Sequence, residues 1–518
     1  MTSAPTEDDM YLNPRIALLP LIGLSALVSA CNAGSGVSAS DTGPMPRGDA
    51  GMLDGSGSTD SSTATDSSTA TDAASPDSDV GPPADAGAPP AGDAGPPPPP
   101  PPGWPESRGW TYVRSHPMFI SALTVRMGAP PASAVTRYFD DFGANAIHLW
   151  ETALPAELDG WLAHRPGAPW LTWVHADGTN VGNGMVIGGY PPGAPGRIGY
   201  QIGDEPTTAA QMTQVLAGLR AVRTADPDGL RVVNFSYDAA RTGGFVDQLC
   251  ASGLGDVISY DLYSRRNGHY RPLAYFREQG LRCGVPYWRY IKAYISAGGE
   301  SVQSESDMRW AALGGLTYGY TGQSWFLYLV GGGDAEGIPT TLFTGTEDWT
   351  SATTERFGWA RQLNREMAVY GRALTQLLST DIGWATDTPI TGTHPPEGAP
   401  LFRADMDPYL SAVDLDGRFV DALFGFFVDR YGDRYVIVQN PNHSNGSFPT
   451  NGDDALRGTL RFDFAGASGV DTTRLLVLDG RSGAVRTQAI SGGALPLDLA
   501  AGDILFFKYD TGRTFAGY

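Results

Sequence analysis

The chain has 518 residues, 41% hydrophobic and 18% charged, and carries a formal net charge of −21. That length can bury one large core or two moderate ones. With acid in excess and no basic patch, composition argues against nucleic acid as a partner.

In "NPRIALLPLIGLSALVSAC", Arg15 precedes an apolar run from Ile16 to Ala30 that ends in small residues before Cys31. The run is short for a membrane span and reads as an export signal over residues 1–31. "LVSAC" resembles the lipobox of bacterial lipoproteins. That resemblance implies lipidation of Cys31, a lipid bilayer as partner and an exported protein anchored at the cell envelope or surface; simple secretion is the alternative. Residues 32–103 are nearly all Ser, Thr, Asp, Gly, Ala and Pro, with "SSTATD" twice in tandem and "GPPPPPPPGWP" at the end. Ten Asp against one Arg place nine of the 21 net negative charges there. Such a segment cannot offset its ordering entropy by burial, so a disordered tether stiffened by polyproline is expected.

From there to residue 378, short apolar runs alternate with helix-like segments. The eight runs are "MFISALTV", "AIHLW", "WLTWVHA", "IGYQIG", "LRVVNFSY", "DVISYDLY", "VPYWRYIKAY" and "TGQSWFLYL". Helical spacing marks "SAVTRYFDDFG", "AELDGWLAHR", "TAAQMTQVLAGLRAVR", "FVDQLCASG", "PLAYFREQG" and "SDMRWAALGGLTYG", while a Gly-rich stretch replaces the helix after the third run. The pattern predicts an α/β fold, a (β/α)8 TIM barrel over residues 104–378, closed by the helix "ERFGWARQLNREMAVYGRALTQLL". An open doubly wound sheet would want a phosphate-binding glycine turn after its first strand, and "VRMGAPPAS" supplies none. Past Ser379 strand-like runs alternate with turns, as in "ALFGFFVDRYGDRYVIVQNPN" and "GDILFFKYD", which predicts a small antiparallel β-sandwich over residues 379–518. Cys250 and Cys283 fall near the ends of successive helices; a disulfide and two buried thiols are both open. No Cys and His spacing resembles a metal site, and no cofactor is implied.

In such barrels the reactive groups sit at the carboxyl ends of the strands. Reading those ends gives Trp150 and Glu151; His175 and Asp177; Asp204 and Glu205; Asp261 and Tyr263; Trp288, Arg289, Tyr290 and Lys292; and Gln323, Trp325 and Tyr328. Rings beside carboxyls suit a sugar, whose faces stack while an acid protonates the departing oxygen.

"GDEP" closing the fourth strand resembles the Asn-Glu-Pro signature of the retaining glycoside hydrolase superfamily that includes the family 42 β-galactosidases. The resemblance implies a glycosidase acting on an oligo- or polysaccharide, with Glu205 as general acid/base. This chain has Asp204 where the superfamily has Asn, and its seventh strand offers no acid for the superfamily's nucleophile; Glu300 and Glu305 come only later. The remaining partner for Glu205 is Asp261, as a base on water giving inversion or as a holder of a sugar hydroxyl. Asp204, Trp150, His175, Tyr263, Trp288 and Trp325 are expected to bind substrate. A barrel that has lost its nucleophile and only binds glycan is the alternative.

Overall fold

The computed structural model describes residues 100–518 except 102, 126, 151–154, 175–189, 264–266, 295–303, 331–339, 346–347, 388–393, 418–419 and 445–453. The signal-like segment with Cys31, nearly all of the tether, and the Gly-rich stretch after the third strand lie outside the described residues.

The eight apolar runs form β1 (Phe119–Val125), β2 (Ile147–Leu149), β3 (Trp170–Val174), β4 (Arg197–Asp204), β5 (Leu230–Ser236), β6 (Val257–Asp261), β7 (Tyr287–Lys292) and β8 (Gly322–Val330). They pair in parallel in chain order, and β8 closes on β1. Strands of this kind are covered on both faces, which is why the runs are nearly continuous in apolar residues. Outside them pack α1 (Arg108–Ser115), α2 (Ala132–Thr136), α3 (Pro155–His164), α4 (Ala209–Ala225), α5 (Tyr237–Gly243), α6 (Phe245–Ser252), α7 (Tyr270–Cys283), α8 (Glu305–Thr317) and α9 (Glu355–Leu374). Local chemistry fixes several starts. Thr208 and Gln211 form a reciprocal capping box at α4, and the Ser304 hydroxyl accepts the Asp307 N–H at α8. Helix α1 was not legible as an element. It covers the amino-terminal mouth of the barrel with Trp110 and Val113, which pack on Phe119, Leu171, Leu230 and Trp288.

The barrel interior changes character along its axis. At the amino-terminal end it is apolar, with the Trp288 ring stacked on Phe119 at 4.5 Å. One layer higher it holds buried polar side chains, among them Ser121, His148, Gln201, Asn234, Ser259 and Ser324.

The chain then forms an antiparallel β-sandwich. One sheet is ordered β15-β14-β17-β12-β11-β9 and the other β10-β13-β16. The strands are β9 (Leu377–Thr386), β10 (Leu410–Leu415), β11 (Asp421–Asp429), β12 (Arg434–Gln439), β13 (Leu456–Phe462), β14 (Arg474–Leu478), β15 (Val485–Ala489), β16 (Ala494–Leu499) and β17 (Ile504–Tyr509). Strands β9, β10, β15 and β16 gave no clear signal because all four lie at sheet edges; β15 is largely exposed, and β16 carries Pro496, which an edge tolerates. The sandwich shares a core with the barrel helices, where Leu313 and Leu363 join Ile437 and Phe506. Among the described residues no helix is long and apolar enough to cross a membrane.

Candidate active site

Strand β4 ends in a distortion. Its pairing with β5 shifts register between Gln201 and Asp204, and the next residue, Glu205, has φ of 43°, the one non-glycine positive φ among the described residues. An L-residue adopts that conformation only when its surroundings impose it. Here the Glu205 N–H donates to the Asn234 carbonyl on β5 at 3.0 Å, and Pro206 follows buried. The turn brings the Glu205 carboxyl to the Asp261 carboxyl at the end of β6, and the two are hydrogen-bonded.

Asn234 connects the acids. Its Nδ2 donates to Asp204 Oδ1 at 2.8 Å and to Asp261 Oδ1 at 3.1 Å, and its Oδ1 accepts from the Ser259 hydroxyl at 3.1 Å. Burial and then the Asp204 charge push Glu205 up to about 7, with the Asp261 hydrogen bond acting against them. Burial, the Glu205 charge and the hydrogen bond to Glu205 raise Asp261 well above the ordinary range, opposed by hydrogen bonds from Asn234 and Tyr263, so in the bond between the two carboxyls Asp261 holds the proton and Glu205 accepts. The two carboxyls therefore hold one proton between them near neutrality, and its loss belongs to the pair.

Beneath the acids a directed chain of hydrogen bonds crosses the barrel. Ser121 donates to Ser324 at 2.9 Å, and the Ser324 hydroxyl lies 3.2 Å from His148 Nδ1. The Tyr290 hydroxyl donates to Gln201 Oε1 at 2.8 Å, accepts from Trp173 Nε1 at 3.3 Å and lies 3.3 Å from His148 Nε2. Burial pushes His148 down to about 3, so the imidazole is neutral; with Tyr290 already donating to Gln201, Nε2 carries the hydrogen. Rings line the mouth above this floor. Trp150 packs on Trp173 at 4.1 Å, and Tyr263 stacks on Phe326 at 5.7 Å and meets Tyr294 edge-on at 5.3 Å.

Of the residues read from the strand ends, Asp204, Glu205, Asp261 and Tyr263 come together in one bowl, and Trp150 is buried at its edge with 4% exposure. Two assignments are corrected. Trp325 faces away from the bowl, because Ser324 and Phe326 take the inward positions of β8; its indole donates to Asn364 of α9 at 2.8 Å. Trp288 lies at the opposite mouth of the barrel, since it is the second residue of β7. From the sequence two roles are open to Asp261, a base on water and a holder of a sugar hydroxyl. Direct hydrogen bonding brings Glu205 and Asp261 closer than the roughly 6.5 to 9.5 Å that leaves room for an attacking water, so Asp261 is not placed as a base on the opposite sugar face. Glu305 opens α8, 4.0 Å from Arg309 and outside the bowl. Glu151, His175, Asp177 and Glu300 lie outside the described residues. Cys250 and Cys283 form a disulfide with a Cα separation of 5.4 Å. His148, Gln201 and Asn234 were not read as site residues. Their signal was a polar side chain at an inward position inside an apolar strand, one to three residues short of the strand end.

No protein-family model matches the chain. No curated protein sequence matches it. Solved structures similar to it include a glycoside hydrolase family 5 protein from Bacteroides vulgatus, with TM-score 0.45 and 12% identity over 77% of this chain and 90% of that one. A glycoside hydrolase family 30 subfamily 8 xylanase from Clostridium acetobutylicum is similar with TM-score 0.39 and 10% identity, over 76% of this chain and 95% of that one. A putative α-galactosidase from Bacteroides fragilis has TM-score 0.41 and 10% identity, over 76% of this chain and 79% of that one. Likenesses this distant do not transfer an activity, so function has to rest on the bowl itself.

Proposed function

We propose that the chain is a glycoside hydrolase acting on an extracellular glycan, with Glu205 as the proton donor. The observation that carries this reading is the strained, half-buried Glu205 at the carboxyl end of β4, held beside Asp204 and Asp261 so that it keeps a proton up to about pH 7. A carboxylic acid that is still protonated near neutrality can pass that proton to a glycosidic oxygen as the C–O bond breaks. Asp204 supplies the charge that raises it, and Asp261 is the neighbour with which the proton is shared. Tyr263, half-buried at the mouth, offers ring surface for a sugar face, while Trp150 backs the edge of the bowl through its packing on Trp173. The likeness of "GDEP" to the retaining superfamily agrees with this placement of the acid.

Export and lipid anchoring at Cys31 belong to the same reading. They rest on the apolar run before "LVSAC", and the Cys250–Cys283 disulfide suits an oxidising compartment. Replacing Cys31 by Ser should move the product from the membrane fraction to a soluble or unprocessed form.

The competing reading is a barrel that binds glycan without cleaving it. It is favoured by β7 ending in Lys292 rather than an acid. Product release from a glycan panel decides between them. Wild type should cleave at least one glycan, and Glu205→Gln should lose about 10² to 10⁴ in rate while still binding it. The alkaline limb of the wild-type profile should fall near pH 7, and Asp204→Asn should move it lower by removing the like charge. Binding without cleavage by wild type, unchanged in Glu205→Gln, would leave the binder.

A further inference from the structure

We propose that a cavity beside the bowl, lined by Arg289, takes the carboxylate of an acidic sugar, so that the glycan this chain acts on carries uronate units. The proposal deepens the glycosidase reading and rests on it for the cleavage step, but what the cavity binds is a property of its own wall.

The cavity lies between the ends of β6 and β7 and the first turns of α8, and its wall includes Tyr263, Arg289, Lys292, Asp307 and Ala311. Tyr263 belongs to both places, since it also bonds Asp261, which in turn bonds Glu205. Strand alternation turns Tyr290 into the barrel and Arg289 outward, toward α8. Arg289 is 3% exposed. Its Nε donates to the Tyr290 carbonyl at 3.3 Å and its Nη1 to the Ala311 carbonyl at 3.2 Å. A guanidinium has five N–H groups, so three remain, all on Nη1 and Nη2, and among the described residues no carboxylate pairs with them. Other buried arginines are answered differently: Arg231 and Arg309 meet the carboxylates of Asp256 and Glu366, and Arg277 meets the Ser379 hydroxyl. Gly315 of α8 makes room for Arg289, because a Cβ there would stand 3.2 Å from Arg289 Cδ, and a glycine inside a helix is otherwise a destabilising choice.

A buried cation with no anion beside it is unfavourable until a ligand completes it. Nη1 and Nη2 form the planar edge that meets both oxygens of a carboxylate, and Lys292, 8% exposed at the end of β7, adds a second positive charge to the same wall. Among the described residues Asp307 is the acid of that wall, and it lies 3.2 Å from His443. Two cations against one acid leave the wall positive before any charge on a histidine. The bowl itself holds Asp204, Glu205 and Asp261, which repel an acidic sugar that has no cation to meet. The cavity supplies that cation, and a neutral sugar would leave Arg289 without its anion.

The test measures binding by calorimetry in the full chain carrying Glu205→Gln, so that no substrate is consumed. The probes are oligogalacturonates and oligoglucuronates, the same oligosaccharides after reduction of their carboxyls to alcohols, and sulfated oligosaccharides of equal length. The acidic forms should bind about tenfold more tightly than the reduced ones. Arg289→Met should erase that preference, and Arg289→Lys, which keeps the charge without the planar edge, should retain part of it. Equal affinity for acidic and reduced forms would overturn the proposal, as would a preference that survives in folded Arg289→Met or one that is stronger for sulfate esters than for carboxylates. Should neither Arg289 variant fold, the comparison of acidic with reduced forms decides alone. Product release from wild type separates this proposal from the reading beneath it. Cleavage confined to neutral glycans would leave the hydrolase and remove the uronate site, whereas tight uronate binding with no cleavage of any glycan would count against the hydrolase and leave the site standing.

Discussion

Glu157 shows how this chain treats an acid that faces packing rather than the bowl. It lies fully buried on α3, accepts a hydrogen bond from Thr124 at 2.7 Å, and is pushed up to about 8 by burial. The bowl adds to burial what Glu157 lacks, namely a second carboxyl, a fixed like charge and an opening among aromatic rings. Glu157 has a consequence for stability. Its folded pKa lies above its unfolded value near 4.5, so between about pH 4.5 and 8 the folded chain holds a proton that the unfolded chain has lost. That stability is complete below the unfolded pKa and disappears as pH rises through 8. Glu157→Gln keeps the acceptor for Thr124 and has no proton to lose. Relative to wild type it should gain on the order of 4 kcal/mol in unfolding free energy between pH 5 and 9, measured by denaturant titration at each pH. Parallel pH profiles for the two proteins would contradict this.

At the scale of elements, the site depends on how each strand ends. The register shift in β4 is what separates Asp204 and Glu205 from a regular strand-to-helix connection, and the same break lets Asp204 pair with Asn234. Beyond the next strand, α6 and α7 are tied by the Cys250–Cys283 bond, which closes a segment with a sequence separation of 33 residues that includes β6 and Asp261. A loop of that length should contribute roughly 2 to 4 kcal/mol by restricting the unfolded chain. Replacing both cysteines by Ser should lower the unfolding free energy by that amount, seen as a lower denaturant midpoint, and the same loss should follow reduction of the wild type. Equal midpoints before and after reduction would show that the bond adds nothing to stability.

At the scale of the whole molecule, the sandwich is built onto the barrel through α8 and α9. Arg309 of α8 donates to both oxygens of Glu366 on α9, at 2.6 and 3.2 Å, and pairs with Asp503 of the sandwich. The Gln439 amide of β12 donates to the Trp310 carbonyl at 3.1 Å, and Arg277 of α7 to the Ser379 hydroxyl of β9 at 2.8 Å. The Glu366 side chain is 1% exposed, so removing Arg309 leaves a buried charge answered by the Gln362 amide at 3.0 Å and by Arg481 at 3.7 Å, without its two-pronged partner. Arg309→Met should cost roughly 3 to 5 kcal/mol, and adding Glu366→Leu should recover most of it, since the penalty lies in the unpaired charge. Chemical unfolding followed by tryptophan fluorescence checks both; a double variant no more stable than the single one would contradict the account.

The sequence by itself determined the barrel, because eight runs of near-continuous apolar residues alternating with helical spacing admit few other arrangements, and it marked Asp204, Glu205, Asp261 and Tyr263 because function in such barrels collects at strand ends. It did not separate Trp150 from Trp288 and Trp325, since all three are tryptophans in apolar runs and their facing depends on strand register and height in the barrel. The bond between the Glu205 and Asp261 carboxyls, which excludes a water between them, came only with the barrel's curvature. The joining of Asp204 and Asp261 through Asn234 likewise required three neighbouring strands in their final register. Contacts between residues some 30 positions apart depend on how the sheet closes, and the local pattern of a strand carries no record of that closure.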